Sequence, residues 1–250
     1  MRRRRKRSAF TLVELLVVIG VIAILIALIL GAIGRARNVA VRLACASTLR
    51  QYALANQMYL NDYRDWYMPV KWGFDTSPTP PWPPPPAGLA PPTIAQLSWP
   101  KNPAFRRALN LKINQQRVPF GLICGRAILS INGATKDGYD PARSYGYNST
   151  GIGWYSNPTI YYTGLKRKQV HKPATKLMFA DATDWVINES ASSRYETLGE
   201  VFGPPVPVPQ SGITAYRHER GANVAFFDGH VEWLAKKLII NNKSLWRMMN

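Results

Sequence analysis

Arg2-Arg-Arg-Arg-Lys-Arg7, followed by Ser8-Ala-Phe-Thr-Leu-Val-Glu-Leu-Leu-Val-Val-Ile19, is the stretch on which the fold turns. Six cations run into an apolar segment that continues to Ile33, and Glu14 is the only charge from Phe10 onward in it. At about 1.5 Å of rise per residue the segment makes a rod of roughly 36 Å, longer than a hydrocarbon core of about 30 Å. It is long enough to span a bilayer.

Working outward, cationic flanks are retained on the cytoplasmic side, and the later cluster of Arg35, Arg37 and Arg42 is sparser than the leader. The leader is therefore expected inside and everything after Ile33 outside. A cleaved secretory signal would place a small-residue site after a shorter apolar core. Here the small residue, Ala9, comes before the run. An acid in a membrane helix costs about 2.5–3.5 kcal/mol at its centre and less near the interface, so Glu14 calls for a compensating cation. A cut between Ala9 and Phe10 would free an α-amino group one helical turn away, to meet Glu14 of the same or a neighbouring subunit.

The basic leader, the small residue and Phe10-Thr-Leu-Val-Glu-Leu-Leu-Val-Val-Ile19 resemble the class III signal of type IV pilins and type II secretion pseudopilins. The family usually has Gly before the cut, where this chain has Ala9. The resemblance implies cleavage by prepilin peptidase on the cytoplasmic face, an N-methylated Phe10, and Glu14 as the acid used for assembly and register.

Composition bounds the remainder. The chain has 32 Lys and Arg against 14 Asp and Glu, and losing the leader's six cations would leave 26 against 14, still strongly basic. The roughly 215 residues after the span suffice for one exported domain. Such a surface attracts anionic polymers, yet beyond Leu165-Lys-Arg-Lys168 and Arg217 to Arg220 there is no Lys/Arg-rich stripe with interleaved aromatics. Nucleic acid is not expected as a partner. Cys45 and Cys124 fall beyond the span, in an oxidising compartment on this reading, where they pair or stay idle. A bridge would close a loop worth roughly 4–5 kcal/mol of chain entropy before strain. Neither Cys lies in a Cys-x-x-Cys or beside a His, so redox catalysis and zinc binding have little sequence support.

Val41, Cys45, Leu49, Tyr52, Ala55, Tyr59 and Tyr63 recur at helical spacing, with Arg42, Arg50, Gln57, Asn61 and Arg64 opposite. No Pro interrupts residues 10–67, which predicts a single helix of about 55 residues with Gly31 and Gly34 as a plausible bend. Nine Pro between Pro78 and Pro92 make that stretch an extended loop; Trp82 inside it and Trp99 after it are read as tacking a surface loop down, in preference to the alternative of partner contacts. Gly203-Pro-Pro-Val-Pro-Val-Pro209 is a second stiff loop. A short helix is expected within Pro100 to Leu111, apolar runs around Cys124, a turn at Tyr145 to Asn148, and a strand from Lys176 to Asp181. Ala222 to Phe227 and His230 to Leu234 flank Asp228-Gly229, a type I′ hairpin signal, with Val224 and Phe226 on one side of the sheet and Ala225 and Phe227 on the other.

His218 precedes Asp228-Gly229 by nine residues, and His218-Glu-Arg-Gly-Ala-Asn-Val-Ala-Phe-Phe-Asp-Gly-His-Val-Glu-Trp233 resembles the H-X9-DG element of prepilin-type, type II secretion-like proteins. Cys45 to Tyr63 is similar to their stem region. That family implies a stem helix on an antiparallel sheet. His218, Asp228 and His230 are the one set that suggests a metal, although a structural hairpin lock is preferred. No cofactor is expected; calcium is the alternative kept open, with Asp181, Asp184 and Asp228 as the carboxylates to test. No nucleophile–base–acid set or phosphate-cradling loop suggests an enzyme.

The expected fold is α+β and pilin-like: a long N-terminal helix, half transmembrane, packed on a C-terminal antiparallel β-sheet with Pro-rich loop insertions. Its parts are a cytoplasmic leader (1–9), a transmembrane helix (10–33), a stem continuation (34–68) and an exported domain (69–250), carrying the Pro-rich insertion 77–92 and the H-X9-DG hairpin 218–234. The expected role is a structural subunit of a type II secretion-like pseudopilus or a type IV-like filament. Prepilin peptidase, other pilin or pseudopilin subunits, the bacterial inner membrane, and secretion or pilus assembly machinery are its expected partners. The N-terminus would be cytoplasmic, with the domain periplasmic or in a surface filament. The alternative is a membrane-anchored binding module for glycan, peptide or DNA that reuses the export signal.

Overall fold

A computed structural model of the chain describes residues 12–70, 99–113, 115–150, 165–192 and 212–249. The Ala9/Phe10 junction, the Pro-rich insertion 77–92 with Trp82, and the loop 203–209 lie outside the described residues. The chain divides into two compact units, Met1–Ala40 and Val41–Asn250.

Helix α1 runs Leu12–Asp62, 51 residues, and bears out the single Pro-free helix expected from sequence. Within the first unit, each large apolar side chain from Leu12 to Ile33 is 47–78% exposed. Within the second unit the helix buries one face: Cys45, Thr48, Leu49, Tyr52, Ala53, Ala55, Asn56, Tyr59 and Leu60. The helix ends without a glycine. Arg64 and Asp65 take the left-handed conformation, and Asp65 N donates to Leu60 O at 3.0 Å. Beyond the turn, Met68 N donates to the buried Asn56 Oδ1 at 2.8 Å, so a side chain of the helix satisfies the backbone that leaves it.

Among the described residues, five strands form one sheet: β1 (Tyr145–Asn148), β2 (Leu177–Asp181), β3 (Val186–Ile187), β4 (Gly221–Phe226) and β5 (Val231–Ala235), in the order β3-β1-β2-β4-β5. Two sequence expectations are corrected here. Tyr145–Asn148 is strand β1 rather than a turn, all four residues buried. The sheet is mixed rather than wholly antiparallel, because β3 pairs parallel to β1 while the other three pairings are antiparallel.

Both faces of the sheet are covered, which is why β2 and β4 are buried at every position. Ala225 and Phe227 join the core under α1 with Tyr52, Tyr147 and Phe179. Ala222, Val224 and Phe226 join a second core with Ile239, Leu245 and Trp246, from the short helices Lys236–Asn241 and Lys243–Trp246. This alternation is the one read from sequence. A bulge between Leu177 and Phe179 puts Met178 and Phe179 together in the first core.

The Asp228-Gly229 hairpin forms with a different turn. Phe226 N donates to His230 O and Gly229 N to Phe226 O, and only Gly229 has positive φ (98°). This is a three-residue loop ending in a left-handed glycine, not the two-residue type I′ turn expected. Instead, the two-residue turn lies at Glu219-Arg220, both residues left-handed (φ 53° and 60°). His218 and Gly221 exchange hydrogen bonds across it at 3.1 and 2.9 Å. A Cβ on Gly221 would come within 2.5 Å of the Trp233 ring and Leu234 O, so this strand start requires glycine.

Candidate functional site

Among the described residues, two places carry chemistry beyond packing. The first is the start of α1, where Glu14 lies in the first turn. A carboxylate there is favoured by the exposed N–H groups of the helix terminus. The next 19 residues add no further charge, and α1 is long and apolar enough to cross a membrane. An apolar surface of this extent marks a lipid or protein contact.

The second place is buried, and it gathers residues from α1, the loop before the short helix Ile128–Asn132, β2 and the turn before β4. Cys45 and Cys124 are joined as a disulfide, with Cα atoms 4.9 Å apart. His218 Nε2 lies 3.3 Å from Cys124 Sγ and 3.6 Å from Asp181 Oδ2. The side chains of His218 and Asp181 are fully buried. Asp181 Oδ2 accepts from Asn223 N at 2.8 Å, while Oδ1 faces Arg217 Nη1 at 3.8 Å. Arg217 is itself held by the carbonyls of Ser144 (2.7 Å) and Ala182 (2.6 Å). Cys124 N donates to Ser144 Oγ, and the Tyr145 hydroxyl donates to Cys45 O. Burial first, and then the Asp181 charge, push the Tyr145 phenol well above its ordinary value.

This arrangement overturns the metal set suggested by sequence. His230 Nδ1 meets Asp228 Oδ1 at 2.6 Å on the exposed hairpin tip, and its ring stacks on Phe226. His218 turns instead to Cys124 and Asp181. Among the described residues, the three groups with ligand-type atoms within 4.8 Å of one another are Cys45, Cys124 and His218, not His218, Asp228 and His230. The calcium candidates are not gathered either. Asp181 is buried against Arg217 and His218, and Asp228 braces its own turn. Asp184, its carboxyl raised chiefly by burial, lines an open cleft of about 390 Å³ with one further carboxylate, Asp140, and the three cations Lys101, Arg117 and Arg143. That lining disfavours a divalent cation.

Trp99 follows the preferred reading and not the partner-contact alternative. It is fully buried, its Nε1 donates to Trp185 O, and it packs edge-on against Tyr52, Phe105 and Phe179, so it is core and not a partner contact. The approach of His218 to Cys124 was not readable from spacing, because 94 residues separate them.

Residues 4–30 match the family model described as the prokaryotic N-terminal methylation motif. The chain thus carries a prepilin-type N-terminal motif on a long apolar helix, which supports a prepilin peptidase substrate of the pilin type, a class usually structural rather than enzymatic. The matched span ends well before His218–Trp233. No curated protein and no solved structure matches the chain.

Proposed function

We propose that this chain is a pilin-type structural subunit, cut between Ala9 and Phe10 and built through α1 into a type II secretion-like pseudopilus or a type IV-like filament. The observation that carries the reading is the methylation motif at residues 4–30 running directly into a helix whose large apolar side chains are exposed to Ile33. Residues Leu12 to Ile33 rise about 33 Å, enough to cross a bilayer and then to bundle with copies of themselves. Glu14 pairs with the amine freed at Phe10 of the same or the adjacent subunit, which offsets the cost of burying its charge. The leader stays cytoplasmic, and the domain from Val41 onward is carried outward.

Mass analysis of the mature N-terminus, from membranes with and without prepilin peptidase, tests this reading. A chain beginning at methylated Phe10 only when the peptidase is present is the expected result. An intact Met1 in both, or a cut beyond Ile33, removes the subunit reading in favour of a plain anchor or an ordinary export signal.

A further inference from the structure

His218 occupies a position that packing alone does not explain. Its ring is fully buried, its Nδ1 makes no hydrogen bond among the described residues, and its Nε2 points at a sulfur and a carboxylate. A buried polar nitrogen without a partner costs stability, and an apolar side chain would fill the same space without that cost. We propose that His218, with the Asp181 carboxylate beside it to favour the imidazolium, is the base that ionises Cys124 when the Cys45–Cys124 bond is made, so that this cluster is a thiol–disulfide exchange site built into the domain.

The steps balance with a small-molecule disulfide, RSSR, as the oxidant. The Cys45 thiol attacks RSSR to give Cys45–S–SR and one RSH, its own proton leaving with the expelled thiolate. The Cys124 thiol then passes its proton to His218 Nε2. The Cys124 thiolate attacks the Cys45 sulfur, the Cys45–SR bond breaks, and RS⁻ takes the proton back from His218. Two thiols are oxidised, one RSSR is reduced to two RSH, and His218 ends neutral.

The surroundings suit that proton transfer. Asp181 and Arg217 already balance one another, so moving a proton from Cys124 to His218 creates a thiolate–imidazolium pair without adding net charge to the interior. Burial opposes the thiolate, and an imidazolium at 3.3 Å opposes burial, where the exclusion of water makes the attraction strong. The other titratable or charged groups about the site are Tyr145 on β1, whose hydroxyl is engaged by Cys45 O, Arg126, which donates to Arg217 O, and the Arg42–Glu219 pair beside the turn. Both sulfurs are buried in the closed domain, so exchange with an outside disulfide precedes the seating of this part of α1, and His218 acts on the closing step.

The full chain, reduced in denaturant and diluted into detergent with oxidised glutathione as the probe, provides the test: mixed and closed disulfides are trapped by alkylation and counted by mass. An ordinary thiol, with pKa about 8.5, is only about 1% ionised at pH 6.5. His218→Gln is therefore expected to slow closure by roughly 10- to 100-fold at pH 6.5, with the gap shrinking to under about threefold above pH 9, and Asp181→Asn to fall between. A deficit of equal size at both pH values is a folding defect and overturns the proposal, as does no deficit at pH 6.5. A second reading needs no reagent access: in the Cys45→Ser chain, thiolate absorbance at 240 nm should emerge at lower pH with His218 present than with His218→Gln. Coincident titrations overturn the assignment. So does uptake of one Zn²⁺ per reduced chain that is lost in His218→Gln, which would make the trio a metal site.

Discussion

The two ends of α1 are one helix written for two different solvents. From Leu12 to Ile33 it is Val, Ile, Leu, Ala and Gly on every side with Glu14 the single charge, and no face is distinguished. From Cys45 to Leu60 the buried residues narrow to one face with Tyr52 and Tyr59 on it, while Arg50 and Asn61 stay exposed together with Leu54 and Met58. A helix apolar all round is solvated by lipid or by other helices, and a helix apolar on one stripe is solvated by its own domain. Substitutions in the first stretch should therefore read out in assembly and leave the domain's stability alone, and those in the second should do the reverse.

The largest expected effect is on Glu14. Glu14→Leu should cut incorporation into filaments by about tenfold or more, since the acid no longer meets the Phe10 amine, with domain melting unchanged. Equal yields of parent and variant fibres in a pelleting assay would break the comparison at its first half. At the other end, Cys45→Ala opens a bond that spans 79 residues of sequence and should lower the domain's unfolding free energy by roughly 2–5 kcal/mol, read from urea unfolding, while N-terminal trimming continues. Leu49→Ala, at a fully buried site, should cost about 2–5 kcal/mol by the same measurement, whereas Leu30→Ala, at 65% exposed, should cost almost nothing. A matching loss at Leu30 would mean that the first stretch is also held by the domain.

The smallest effect is at high pH and belongs to the second stretch and the domain packed on it. Burial raises the phenols of Tyr52, Tyr59 and Tyr147 well above the ordinary tyrosine range and pushes Tyr63 up to about 12. The folded state holds these protons more tightly than the unfolded chain, whose tyrosines ionise near 10. Their stabilising effect is thus intact below about pH 10 and drains away as pH rises through the folded values. Tyrosinate absorbance at 295 nm should appear together with loss of near-ultraviolet circular dichroism. Gradual ionisation in a still-folded domain would show that these rings are accessible.

Local pattern carried much of this into the sequence. The Pro-free run from Phe10 and the three- and four-residue spacing of Cys45, Leu49, Tyr52 and Tyr59 are properties of neighbouring residues, and both appear in the fold. Strands β2 and β4 were legible for the same reason, bounded by turn residues and rich in apolar side chains. What escaped was non-local. Tyr145-Gly-Tyr-Asn148 has the composition of a turn and becomes a strand because β2 and β3 pair with it on either side, and a Cβ at Gly146 would fall 2.8 Å from Ala182, Asp184 and Ile187. Glu219-Arg220 lacks the Asn-Gly signature of its turn, which is closed by the reciprocal hydrogen bonds of His218 and Gly221. The trio of Cys45, Cys124 and His218 is assembled by the sheet from three distant segments, so no spacing could announce it.

The bond at Cys45 also sets the route by which tension travels. A pull entering along α1 from its N-terminal end reaches a covalent junction before it reaches Leu49 or Tyr52, and there it is handed to Cys124. A reduced chain would carry that load through non-covalent contacts alone, among them the bonds from Thr48 to Gly121 O, Tyr52 to Leu122 O and Gln57 to Phe227 O.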